Sequence, residues 1–170
     1  MDEGIELEAQ VGFWLRRRGL KLVTAESCTG GLMGHRLTNI PGSSDYYLGG
    51  VISYAYEAKE RLLGVQRETL TRYGAVSKET ALEMASGARH ALSGAFPLEQ
   101  MIGISITGIA GPDGGLPNKP VGATWIGLSA PGEENAWYYL WHGSREENKS
   151  QSVGQALSIL LDYLKSKEMP

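Results

Sequence analysis

The sequence predicts a single α/β domain, three-layer α/β/α with a mixed β-sheet. Three observations carry this. Short apolar runs of strand type alternate with amphipathic stretches of helical period. Two late strand-like runs, 121–129 and 136–141, face each other across Pro131-Gly-Glu-Glu, which reads as a hairpin. The chain has 170 residues, 42% hydrophobic and 21% charged, enough for one domain with a sizeable core. Strands interleaved with helices imply helices packed on a mixed sheet in three layers.

Residues 4–18 read as an amphipathic helix, with Ile5, Ala9, Val11 and Leu15 apolar. Arg16, Arg17 and Arg18 suit its C-terminal dipole as a solvated helix end, and Gly19 suits the stop. Residues 21–25 form the first strand. A short helix over 30–38 is closed by Asn39-Ile-Pro41-Gly42. Residues 47–55 read as the second strand, and 57–63 and 67–73 as short helices. Ser77 caps a helix running to about Leu92, with Leu82, Ala85 and Ala88 on its apolar stripe. The third strand is 101–107, followed by the glycine-rich loop 108–115. The closing helix, 145–166, carries Val153, Ala156, Leu157, Leu160, Leu161 and Leu164 on one stripe.

Charge and composition narrow the function. A net charge of −3 argues against a bulk nucleic-acid binder. One cysteine, Cys28, excludes an internal disulfide and fits a reducing compartment. No apolar run of about 18 residues exists, so no membrane span is expected. The acidic N-terminus lacks a signal-peptide pattern, and a cytoplasmic protein is the expectation.

Two glycine-rich loops follow predicted strands: Ser27-Cys28-Thr29-Gly30-Gly31 and Thr107-Gly108-Ile-Ala-Gly-Pro-Asp-Gly-Gly115. Loops at the carboxyl ends of strands line the ligand crevice of open α/β sheets. Glycine lets backbone N–H groups approach a ligand, and a helix N-terminus favours an anion, so a phosphate-bearing ligand fits. Neither loop is a Walker motif or a Gly-x-Gly-x-x-Gly, and each on its own also reads as a simple turn. Cys28 lacks a histidine partner in sequence and reads as a structural thiol. His35, His90 and His142 are scattered and Asp113 stands alone, so no metal-ligand spacing appears.

A third constellation is Ser44 in Pro41-Gly-Ser-Ser-Asp, Tyr54 at the far end of the second strand, and Lys59 on the helix after it. A lysine activates a serine if it is neutral, which needs a desolvated or cationic surrounding. From the residues alone, Ser44 as a turn cap and Lys59 as a surface charge remain open.

The segments "TAESCTGG", "IPGSSDYYLGGVISYAYEAKERLLGV", "GAVSKETALEMASGAR", "ISITGIAGPDGG" and "KPVGATWIGL" resemble, in order, the C-terminal domain of the competence/damage-inducible protein CinA in its stand-alone form. That resemblance covers nearly the whole chain. It implies a nicotinamide-nucleotide amidase, which hydrolyses nicotinamide mononucleotide to nicotinate mononucleotide and ammonia by a serine/lysine mechanism without a metal or cofactor. It puts the nucleophile on Ser44, the base on Lys59 and a site tyrosine on Tyr54. It puts pocket positions on Ser27, Thr29, Gly30, Gly31, Thr107 and Gly108, with Arg145 as a further ligand residue. Ser144 and Lys149 depart from the family pattern. A small-molecule nucleotide partner and a homo-oligomer, a dimer first, are also implied. The rival readings are a non-catalytic nucleotide-binding protein on the same fold and an amidase for another carboxamide.

Overall fold

A computed structural model describes residues 6–166. Helix α1 (Leu7–Arg18) leads into β1 (Lys21–Glu26), α2 (Leu32–Thr38) and β2 (Tyr47–Ile52). Then come α3 (Tyr56–Leu63), α4 (Arg67–Tyr73), α5 (Lys78–Ala91), β3 (Met101–Gly108), β4 (Ala123–Ala130), β5 (Glu133–Leu140) and α6 (Arg145–Ser166). Positions 4 and 5 of the predicted first helix lie outside the described residues. The second strand stops at Ile52 rather than 55, so Tyr54 stands in the turn after it.

The five strands order as β2-β1-β3-β4-β5. β1 runs parallel to both β2 and β3, and β4 and β5 add antiparallel. One face buries Val11 and Leu15 of α1, Met33 and Leu37 of α2, and the α6 stripe against Leu22, Ile102, Ile104 and Ile106. The other buries Leu63, Leu70, Met84 and Ala88 of α3 to α5 against Val23, Ala25 and Met101. Two cores on two faces give the three layers. β1 and β3 are buried along nearly their whole length, as parallel strands covered on both faces must be.

Local rules set the joins. Ser77 Oγ accepts the Thr80 N–H and caps α5. Ser144 Oγ accepts the Glu147 N–H while a Glu147 carboxylate oxygen accepts the Ser144 N–H, a reciprocal cap that starts α6. Arg16 is exposed at the helix end, as expected, but it also has partners. It pairs with Asp45 at 3.1 Å and donates to the carbonyls of Pro41 and Gly42, so it holds the turn before β2.

α5 sits hard against the C-terminal end of α3 because residue 87 is glycine. A Cβ there would lie 1.9 Å from the Leu63 carbonyl oxygen. That clash is with backbone, so Gly87→Ala must push α3 and α5 apart. A loss of about 1–3 kcal/mol is expected, read as a lower urea midpoint with a native far-UV spectrum. An unchanged midpoint contradicts the tight seating of α3.

Candidate active site

β1 and β3 leave the sheet centre in opposite senses of connection: β1 continues to β2 on one side, and β3 lies on the other. The carboxyl ends of β1 and β3 therefore flank a topological switch point, where open α/β sheets bind ligands. A cavity of about 250 Å³ lies there. Ser27 and Cys28 line it from the end of β1, and Thr107, Gly108 and Gly111 from the end of β3 and its loop. Tyr54, Ala75, Val76, Asp113 and Arg145 close its sides.

Lys59 is fully buried on α3. Its amine lies 2.9 Å from Ser27 Oγ, 2.5 Å from the Ser53 carbonyl and 3.4 Å from the Tyr54 carbonyl. None of the ion pairs among the described residues includes Lys59. Burial without a carboxylate penalises the cation and brings its pKa down from 10.5 to about 8, with a small opposing pull from Cys28. A neutral amine has two N–H groups and one lone pair. Two carbonyls and one hydroxyl match that set: the carbonyls take the N–H groups and the lone pair takes the Ser27 O–H. This is the geometry of a serine with an adjacent general base.

The expected Ser44–Lys59 pair is corrected by this geometry. Ser44 is exposed in the turn before β2, beside Asp45, whose carbonyl accepts from Lys21. Ser53 and Lys59 come after β2. A six-residue strand, about 20 Å at 3.3 Å per residue, separates the two ends. Ser44 is at the amino edge of the parallel strands, and the cavity is at the carboxyl edge.

Three ligand-positioning expectations in the first loop are corrected as well. Thr29 is buried and its hydroxyl donates to Glu26 at 2.7 Å. The Gly31 N–H donates to the same carboxylate, and the Gly30 N–H to the Ser27 carbonyl. None of the three lines the cavity. Gly30 and Gly31 have φ of +61° and +99°, so they serve the turn rather than a ligand.

Glu26 was not singled out by the sequence, yet it builds the site. Glu26 is 2% exposed, and its carboxylate also accepts the N–H groups of Met33 (3.1 Å) and Gly34 (2.9 Å), so it fills the N-terminus of α2. Its backbone carbonyl accepts the Ser53 N–H at 2.8 Å. One residue thus ties the turn bearing Ser27 to the turn that grips Lys59. The sequence signal was its place, an acid at the end of a buried strand and just before a glycine-rich turn.

The remaining expected positions stand around the cavity. Thr107 Oγ donates to the Ala75 carbonyl at 2.7 Å and fixes the opposite wall. Gly108 lies so close to β4 that a Cβ would meet Thr124 Oγ1 at 2.6 Å. Arg145, the first residue of α6, donates to the Gly111 carbonyl (2.5 Å) and to the Tyr54 hydroxyl (3.2 Å) across the mouth. Tyr54 thus meets Lys59 through its carbonyl and Arg145 through its phenol. Burial pushes the Cys28 thiol up to about 11, which suits a wall residue and not a thiolate. Lys149 pairs with Glu146 along α6 and does not line the cavity.

The match to known proteins is decisive for the family: the model of the CinA C-terminal domain covers residues 5–164. This chain belongs to the CinA C-terminal domain family. The domain is 49% identical over 148 residues to a CinA-like protein of Nostoc, spanning 87% of this chain and 34% of that protein. A CinA-like protein of Salinibacter ruber is 46% identical over 153 residues, spanning 90% of this chain and 36% of that protein. The chain therefore spans little more than a third of the length of these curated relatives. A crystal structure of the competence damage-inducible protein A of Klebsiella pneumoniae superposes with a TM-score of 0.88 at 33% identity, covering 95% of this chain and 97% of that one. The competence/damage inducible protein of Agrobacterium tumefaciens superposes at 0.77 with 36% identity, covering 98% and 100%.

The buried lysine of this CinA domain makes stability depend on pH with a definite sign. An unfolded lysine keeps its proton to 10.5, whereas folded Lys59 releases it from about 8. Between those values the unfolded chain binds more protons, so stability rises with pH across the window. Below about 8 the full cost of the buried cation is present. Lys59→Met lacks this dependence. The stability of the native chain relative to Lys59→Met should rise as the pH passes from below 8 to above 10, read by urea unfolding. A difference that stays constant contradicts a depressed Lys59.

Proposed function

We propose that this domain is an amidase that deamidates nicotinamide mononucleotide to nicotinate mononucleotide and ammonia, as in the recycling of pyridine nucleotides, with Ser27 as nucleophile and Lys59 as base. The observation that carries the chemistry is the 2.9 Å contact between Ser27 and a buried lysine that no carboxylate neutralises. The substrate comes from the family resemblance and is supported by a small cleft with both polar and apolar walls, bordered by one guanidinium.

Neutral Lys59 takes the Ser27 proton as Oγ attacks the carboxamide carbon. The C–O bond forms and the carbonyl π pair moves to oxygen, giving a tetrahedral oxyanion. The Lys59 ammonium then returns the proton to the amide nitrogen. The C–N bond breaks, ammonia leaves, and a serine ester remains. Water attacks that ester, Lys59 accepting its proton and passing it back to Ser27 Oγ. The fixed carbonyls of Ser53 and Tyr54 keep the amine aimed through both halves. The Gly30 and Gly31 N–H groups are already used, so the nucleotide phosphate goes to Arg145, whose guanidinium has N–H groups beyond those used on Gly111 and Tyr54.

Ammonia release from nicotinamide mononucleotide tests this directly. Ser27→Ala should lose about 10³-fold or more in kcat, the scale for removing an attacking serine. Ser44→Ala, on an exposed turn, should stay within about twofold, the usual range for surface substitutions. The reverse order restores Ser44. Free nicotinamide should react far more slowly, because the phosphate supplies orientation. Equal rates point to a general carboxamide amidase, and no turnover of either points to a non-catalytic binding domain.

The pH profile gives a second test. kcat/KM should rise with pH through one limb near 8 as Lys59 becomes neutral. Lys59→Arg keeps the charge and cannot lose its proton, so it should fail as fully as Lys59→Ala. Substantial turnover by Lys59→Arg removes the general-base role.

A further inference from the structure

Beyond Val76, on the far side of the loop that walls the catalytic cleft, lies a second cavity of about 580 Å³. Val76 lines both cavities. Its walls come from the end of α4 (Arg72, Tyr73), the start of α5 (Lys78), the segment before β4 (Asn118, Lys119), and β4 and β5 (Trp125, Tyr138). The mechanism above uses none of these residues.

Two features of the walls bear on what they could hold. The first is charge. Arg72, Lys78 and Lys119 converge from three segments with one acid, Glu79, on the lining, whereas the whole chain has 16 basic and 19 acidic residues. The second is a pair of aromatic rings. Trp125 and Tyr138 are direct cross-strand partners, with ring centroids 5.4 Å apart and planes tilted by 54°. Tyr138 leaves 46% of its surface in water although it stands beside that partner.

Two of the cations are also held in place. The Lys119 amine donates to the Tyr73 carbonyl and joins the segment before β4 to the end of α4. The Arg72 guanidinium lies 5.2 Å over the Tyr73 ring. Positive charge and aromatic faces around one concavity of this size recognise a ligand with both an anionic group and a flat ring. The chain's net charge of −3 disfavours an extended polyanion.

We propose that this cavity is a second ligand site, for a nucleoside phosphate. The ring lies against Trp125 and Tyr138, and the phosphate lies among Arg72, Lys78 and Lys119. The site stands independently of the amidase reading, since it shares no reacting residue with the cleft.

Calorimetric titration of the whole chain with adenosine monophosphate tests it, with adenosine and inorganic phosphate as separate arms and tryptophan fluorescence as a second readout. Saturable binding with quenching is expected. Adenosine and inorganic phosphate should each bind at least about tenfold more weakly, a loss of 1.4 kcal/mol. Arg72→Glu/Lys78→Glu, at two exposed positions, should weaken adenosine monophosphate at least about tenfold, and Trp125→Phe should remove the quenching. Ser27→Ala should bind as the native chain does. No binding of adenosine monophosphate, or binding untouched by the charge reversal, overturns the site. Inorganic phosphate binding as tightly as the nucleotide overturns the nucleoside assignment.

Discussion

A lysine buried without a carboxylate is the constraint on which this domain's chemistry depends. Lys59 has no exposed surface, and its amine meets only oxygens of neutral groups. Such a site accepts a neutral amine far more readily than an ammonium. The backbone is organised to hold it. The Lys59 N–H bonds the Ala55 carbonyl, the Lys59 carbonyl accepts from Val65, and Gly87 lets α5 press α3 into place. Loosening any of these lets water reach the amine and raises its pKa towards that of a surface lysine.

Glu26 does the complementary work on the serine side. Four donors converge on its carboxylate, and they come from the turn and from the first turn of α2. The helix N-terminus that would otherwise attract a phosphate is already occupied by a carboxylate of the same chain. This explains why a glycine-rich turn at a strand end here presents a hydroxyl and not an anion hole. In the proposed function anion recognition falls instead to Arg145, which bridges the Gly111 loop and Tyr54 at the cavity mouth.

The elements were legible because each has a local cause. The α6 stripe, the Ser77 cap and the apolar runs of β1 and β3 all report burial at a fixed period. Lys59 and the switch-point loops were legible for similar reasons. The partner of Lys59 was not, because it is 32 residues away and the choice between Ser27 and Ser44 is one of sheet edge. The decisive clue was nonetheless present. Ser27 follows a strand, Ser44 precedes one and Lys59 follows one, so only Ser27 shares an edge with Lys59 once β1 and β2 are parallel. Thr29, Gly30 and Gly31 misled because hydroxyls and glycines suit a turn as well as a ligand. Only the position of Glu26 distinguishes the two, and its partners are visible only in the folded chain.

The most direct measurement is the titration of Lys59 itself, by NMR of the whole chain carrying ¹³C at the lysine ε-carbons, with the Lys59 signal assigned from its loss in Lys59→Met. The account predicts a Lys59 ε-carbon signal with its midpoint near 8, well below the ordinary lysine value of 10.5. A Lys59 signal with its midpoint at the ordinary lysine value of 10.5 would show an amine that keeps its proton well above pH 8, and the Ser27–Lys59 mechanism would then fail.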